Sequence, residues 1–350
     1  MRKSLQDQRT SLVLLFIVVI AITGCTGGSG KNLTADLEGR RVEWFDVEGN
    51  WAAYRWTPNN SQTTPQAIVL RELGSGAETE IESGGNYGSV AIDGGIVVYV
   101  KRGGSGEPSA IVAYTVNSGA SETIATGRID TMDAGAGRAV WDDSQTGLAM
   151  IGSLAGGGGS AMDAVENVSD FMPRIGTMHA VWVRNDRATR ENRLMVYDLS
   201  AGSASATEIT SPDRVIADVS SGNVVYCVFG QPEDAIHIYN IATRSDNVIA
   251  TSPRIVDEPR IEGNYVVWLE HISRDEFSGV AGQPLYDERD FRNLLRHDLA
   301  SGSTKELAHN VFGLRDPLPA ADGTVYARAP RAITPPGQSN TGDLIDIRAF

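Results

Sequence analysis

The stretch Gly263-Asn264-Tyr265-Val266-Val267-Trp268-Leu269-Glu270 repeats a phrase that the chain uses throughout its length. Gly222 to Phe229 reads Gly-Asn-Val-Val-Tyr-Cys-Val-Phe, and Gly49 to Trp56 reads Gly-Asn-Trp-Ala-Ala-Tyr-Arg-Trp. Aligning the phrases gives seven aromatic anchors, Tyr54, Tyr99, Trp141, Trp182, Tyr226, Trp268 and Tyr326, separated by 45, 42, 41, 44, 42 and 58 residues. A near-constant period of this length marks a stacked repeat architecture, in which each unit is too small to bury its own apolar surface.

The fourth unit shows the internal grammar. Short apolar runs at Met172–Ile175 (strand A), Ala180–Val183 (B), Leu194–Leu199 (C) and Thr207–Thr210 (D) are separated by Gly, Asn and Ser turns. Such runs read as strands joined by hairpins. Strand B is apolar at consecutive positions, as in Val224-Val225-Tyr226-Cys227-Val228, so both of its faces are buried. Four strands per roughly 40–45 residues is the blade of a β-propeller. The expected fold is therefore all-β: a seven-bladed β-propeller of four-stranded antiparallel blades over residues 31–350. The last unit has no strand D of its own before Phe350, while Lys31-Asn32-Leu33-Thr34-Ala35 echoes the D phrase Lys305-Glu306-Leu307-Ala308-His309. Residues around 31–36 are thus expected to close the ring as its N-terminal strand. Six full blades with loose ends is the alternative.

The phrases Ile-x-Gly-Asn-x-Val-Val-Trp and Tyr-Asp-Leu-x-x-Gly-x-x-x-x-Ile-Thr resemble the TolB-like propeller repeats of archaeal and bacterial cell-surface proteins. The resemblance spans residues 31–350 and implies an extracytoplasmic protein of the interaction type. The chain departs from that pattern by lacking a Trp-Ser-Pro-Asp-Gly turn.

The N-terminus indicates an address. Arg2, Lys3 and Arg9 precede an apolar run, Leu12 to Ile22, that is long enough for an export signal and too short for a spanning helix of about 20 residues. Ile22-Thr23-Gly24-Cys25 follows and resembles a lipoprotein signal, so residues 1–25 are read as a signal peptide ending at a lipidated Cys25. Residues 26–30 form a flexible tether. The only other cysteine, Cys227, falls in an apolar strand and reads as a small buried hydrophobe. Sequons at Asn32, Asn59 and Asn167 are possible glycosylation sites. The net charge of −14 opposes binding to phosphate backbones, so nucleic acid is not expected as a partner.

In such a blade the A–B and C–D turns share one rim and the B–C and D–A connections share the other. The first set is minimal here, whereas the B–C loops are long and varied, so the B–C/D–A rim is the expected binding face. The candidate residues are Arg184, Asp186, Arg187 and Arg190 from the fourth unit, with His271, Arg274, Asp275, Glu276, Phe277, Tyr286, Asp287 and Arg289 from the longest insertion. Charged groups beside aromatics suit a polar partner such as a cell-surface protein or glycan. Asp142 and Asp143 stand at the same level, without the spacing of a calcium loop.

No catalytic motif is present: His-Glu-x-x-His and Gly-x-Ser-x-Gly are absent, and Ala155-Gly-Gly-Gly-Gly-Ser160 lacks the ending of a phosphate loop and reads as a C–D turn. The sequence thus points to a lipid-anchored, cell-surface, monomeric, non-catalytic binding or scaffolding module with no cofactor and no metal. An enzyme acting on polysaccharide, a lyase or hydrolase, is the alternative.

Overall fold

The computed structural model describes residues 31–34, 40–58, 66–211, 215–229, 233–271, 291–330 and 345–350. Among these, the strands form antiparallel four-stranded sheets, and six of the sheets each use four consecutive strands. The fourth is representative: β14 (Val168–Ile175), β15 (His179–Asp186), β16 (Asn192–Asp198) and β17 (Ser203–Ser211) lie side by side in chain order. The inner strands of the six blades are β2 (Arg40–Glu48), β6 (Tyr87–Asp93), β10 (Ile129–Gly135), β14, β18 (Val215–Ser220) and β22 (Val256–Glu262).

Expectations about the ends are corrected. The propeller has six blades and not the expected seven, because the seventh sheet is not a repeat of the other six. It combines β26 (Arg315–Pro319), β27 (Val325–Pro330) and β28 (Ile345–Ala349) with β1, which is only Lys31–Asn32. The closing strand expected over residues 31–36 does not form, because pairing stops after Lys31 opposite Ala349 and Asn32 opposite Arg348. Tyr326 is also not the seventh anchor. It pairs with Leu318, the place that Val267, not Trp268, takes in the sixth blade opposite Arg260. A one-residue slip sends a strand's side chains to the opposite face. Val325, Ala327 and Ala329 accordingly pack on the sixth blade, while Tyr326 packs on the first with Leu33. The first and last sheets meet through this packing and through Arg328, whose guanidinium donates to the Val42 carbonyl at 3.4 Å.

The core lies between blades. Strand B explains why: Trp182 faces the third blade with Val140 and Ile151, while its neighbours Val181 and Val183 face the fifth with Val215 and Tyr226. The other five anchors, Tyr54, Tyr99, Trp141, Tyr226 and Trp268, are also buried. Each contributes a large apolar area with defined ring geometry. Cys227 is fully buried in the same kind of contact, beside Trp268.

The hairpin turns follow the repeat. The residue directly before strand D is glycine at positive φ in four blades, Gly119, Gly158, Gly202 and Gly302. Arg244 occupies this place in the fifth blade at φ 55°. A side chain there strains the left-handed conformation that glycine adopts freely. Arg244→Gly is expected to stabilise the fold by about 0.5–1 kcal/mol in denaturant unfolding. A loss of stability would show that the arginine makes a compensating contact.

Candidate functional site

Each inner strand runs from the D–A rim to the A–B rim, and its side chains alternate. One set packs back on the preceding blade, as Ile92, Ile175 and Ile261 do. The other set lines an axial channel in three levels. At the D–A mouth stand Trp44, Ser89, Thr131, Met172, Ile216, Glu258 and Asp316, one from each sheet. Two residues further along, at the waist, are Asp46, Asp133, Arg174, Asp218 and Arg260. Glu48, Asp93 and Glu262 follow at the A–B mouth. The channel is two cavities that meet at Arg260, about 340 Å³ on the D–A side and about 390 Å³ on the A–B side.

Chain geometry opens the D–A mouth. Met172, Glu258 and Asp316 each take positive φ immediately before a proline, at bulges in β14, β22 and β26. Proline is tolerated because the inner strand has a free edge with no ladder bond to lose. The bulge re-aims the residues that follow, including Arg174 and Arg260.

That free edge exposes backbone N–H groups, and carboxylates from the preceding blade accept them. The Ile92 N–H donates to Asp46 (2.9 Å), that of Ile175 to Asp133 (3.1 Å) and that of Ile261 to Asp218 (2.9 Å). On the A–B rim Gly94 donates to Glu48 (2.9 Å) and Gly137 to Asp93 (2.7 Å). The acidic channel wall is therefore an inter-blade belt.

Confinement in this wall shifts Asp46 and Asp133. Burial pushes the Asp46 carboxyl up from 3.8 to about 7, with the Asp133 carboxylate adding to the effect, while the Ile92 and Val47 amides pull against it. Burial likewise raises Asp133, with Asp218 adding. Burial also lowers the Arg174 guanidinium, and the charge of Arg260 acts in the same direction.

The residues singled out from sequence fall in several places. Arg184 is buried and fully engaged: Nε and Nη2 donate to Asp170 at 2.7 and 2.8 Å, and Nη1 donates to Asp163 at 2.5 Å. Asp186 accepts the Ala188 and Thr189 amides of its own loop at 2.8 and 3.1 Å, which lowers its carboxyl. Arg187 and Arg190 are exposed on that loop. His271 is buried at the end of β23 (Tyr265–His271). Arg274, Asp275, Glu276, Phe277, Tyr286, Asp287, Arg289, Cys25 and Asn59 lie outside the described residues. Asn32 accepts the Thr34 amide at 3.0 Å, and Asn167 is exposed at φ 61°.

Asp142 accepts both the amide and hydroxyl of Thr131, and Asp143 accepts the Gln145 amide. Among the described residues no three His, Cys, Asp or Glu side chains gather as a metal-binding group. The glycine run at 156–159 is the C–D turn of the third blade, and a side chain at Gly159 would collide with Trp141, 2.1 Å from the added Cβ. The channel residues were missed as candidates. Their signal is the polar i, i+2 pattern Trp44-x-Asp46-x-Glu48, visible once the strand A phrases are aligned.

No protein-family model matches the chain, and no curated protein matches its sequence. Solved structures do match in fold. Acylaminoacyl peptidase from Pyrococcus horikoshii aligns at 12% identity and a TM-score of 0.61, covering 89% of this chain and 51% of that one. Dipeptidyl peptidase 4 from Porphyromonas gingivalis aligns at 9% identity and 0.53, covering 87% and 51%. A putative TolB from Agrobacterium tumefaciens aligns at 12% identity and 0.48, covering 81% and 98%. At such identities the likeness concerns the fold, an all-β propeller with four-stranded blades. The chain spans about half the length of the two peptidases.

The raised acids give stability a pH dependence of defined sign. A carboxyl whose folded value exceeds its unfolded value contributes stability that is complete below about pH 4 and is lost as pH rises through about 7. Asp46→Asn removes this component. Thermal melting is expected to show the variant gaining on the parent by a few degrees between pH 5 and pH 8. A pH-independent difference would show that Asp46 is ionised throughout.

Proposed function

We propose that this chain is a lipid-anchored, cell-surface propeller that acts as a non-catalytic binding module, with the D–A mouth of its channel as the binding face. One observation carries the reading. That mouth is a cavity of about 340 Å³ to which every sheet contributes. This volume lies within the usual range for ligand sites. Trp44 stands there 39% exposed, beside the cationic side chains Arg174, Arg260 and Arg315. An exposed aromatic rimmed by charge is the composition of a recognition surface. The long B–C loops leave the scaffold on the same rim, since β24 (Phe291–Asp298) begins there with Arg292 lining the cavity. The partner is a cell-surface protein or glycan, and contact with the membrane is through the anchor alone.

Two measurements check this. Palmitate labelling in cells is expected to mark the parent chain, and Cys25→Ser to abolish both label and membrane retention. An unlabelled parent, or full retention of the variant, would contradict the anchor. Residues 31–350, used as bait on native envelope extract, are expected to retain a partner that Trp44→Ala weakens at least tenfold. Unchanged capture by the variant would place recognition elsewhere.

A further inference from the structure

Of the seven waist positions three carry aspartate, Ala91 and Leu318 are apolar, and two carry arginine. The first, third and fifth blades place Asp46, Asp133 and Asp218 where a carboxylate bonds the next blade's inner strand. At the same place the fourth and sixth blades put Arg174, opposite Val181, and Arg260, opposite Val267. An arginine has no acceptor to offer a backbone N–H. Arg174 therefore cannot bond the Val219 N–H as an aspartate would, and Arg260 precedes a sheet whose corresponding residue is Pro319, with no N–H to bond.

The acids around them act through charge and not through direct pairing: the Asp133, Asp218 and Asp316 carboxylates oppose the lowering of the Arg174 guanidinium. Glu258 is paired with Arg292 at 3.1 Å, and Asp316 with Arg328. Asp133 and Asp218 accept backbone amides. Among the described residues, Arg174 and Arg260 form neither a hydrogen bond nor a salt bridge, and each lies in the other's field. Two confined guanidiniums thus lie in each other's field with no hydrogen-bonded or ion-paired partner, their charge offset by carboxylates at longer range. Both face the D–A cavity with Trp44 at its mouth.

We infer that Arg174 and Arg260 form a receptor for a single carboxylate group, either a free monocarboxylic acid or the C-terminal carboxylate of a peptide. The fork geometry of arginine matches a planar carboxylate in a bidentate arrangement. The surrounding acids favour a singly charged group over a phosphate dianion. Trp44 supplies an apolar wall for whatever is attached to the carboxylate. This rests on the binding-module reading and names the ligand chemistry of the same mouth.

The test is calorimetric titration of the full chain with acetate, N-acetyl-dialanine, N-acetyl-dialanine amide and inorganic phosphate, at constant ionic strength. N-acetyl-dialanine or acetate is expected to bind, the amide to fail, and phosphate to bind more weakly. Preference for the peptide over acetate identifies a chain terminus as the source; the reverse identifies a free acid. Arg174→Gln and Arg260→Gln are each expected to weaken binding at least about tenfold. Each is also expected to melt close to the parent in the absence of ligand, since neither side chain makes a hydrogen bond or salt bridge among the described residues. Three results would overturn the site: equal binding of the amide, tighter binding of phosphate, or a lowered melting temperature in both variants, which would make the arginines structural braces. An envelope partner held equally well by the parent and the double variant would leave the binding-module reading standing and remove the carboxylate site.

Discussion

A four-stranded sheet with two apolar faces cannot remain alone in water, and this constraint shapes everything else in the molecule. Trp182 needs the blade before it, and Val181 and Val183 need the blade after it. Chain-length burial at about 25 cal/mol per Å² of apolar surface then favours a ring in which every face meets another. The composite seventh sheet meets that need with little hydrogen bonding. Its outer strand is two residues, but Tyr326 and Leu33 still join the apolar surface of the first blade. Packing, more than strand pairing, closes the circle.

Stacking the faces leaves one edge of each blade unpaired at the axis. Free strand edges carry N–H groups that need acceptors. The chain supplies them from the blade before, through Asp46, Asp133 and Asp218. Part of the acidity that looks like surface charge in the sequence is thus internal bonding, and burial raises the Asp46 and Asp133 carboxyls in that wall. Against that background the two arginines are the cationic departures at waist positions, where Ala91 and Leu318 are apolar ones. Departures from a local rule are where function concentrates in an otherwise consistent fold.

The architecture was legible because its signals are periodic. Aromatic anchors at near-constant spacing and doubly apolar B strands fix blade size and strand order. The ends were less legible because the repeat decays there. Tyr326 looks like an anchor by residue type, yet it sits one register step off, and composition carries no register. Arg184 looked like a rim cation and is an internal clamp on Asp170 and Asp163, since a loop-proximal arginine reads the same in sequence whether or not acids fold back onto it. The channel residues were hidden for the opposite reason. Each lies in a short strand whose polar residues read as ordinary surface positions, and only superposing seven inner strands shows that Trp44, Glu258 and Asp316 share one level while Asp46, Arg174 and Arg260 share another.

The central claim is that carboxylates of one blade bind the inner edge of the next, and that Arg174 interrupts this belt. Residue-resolved amide hydrogen exchange tests it most directly. Ile92, Ile175 and Ile261 are bonded to the carboxylates of Asp46, Asp133 and Asp218, whereas Val219, the corresponding residue of the fifth blade, follows the blade that carries Arg174. The account predicts slow exchange at the three isoleucines and distinctly faster exchange at Val219. Uniform rates at all four amides would contradict it.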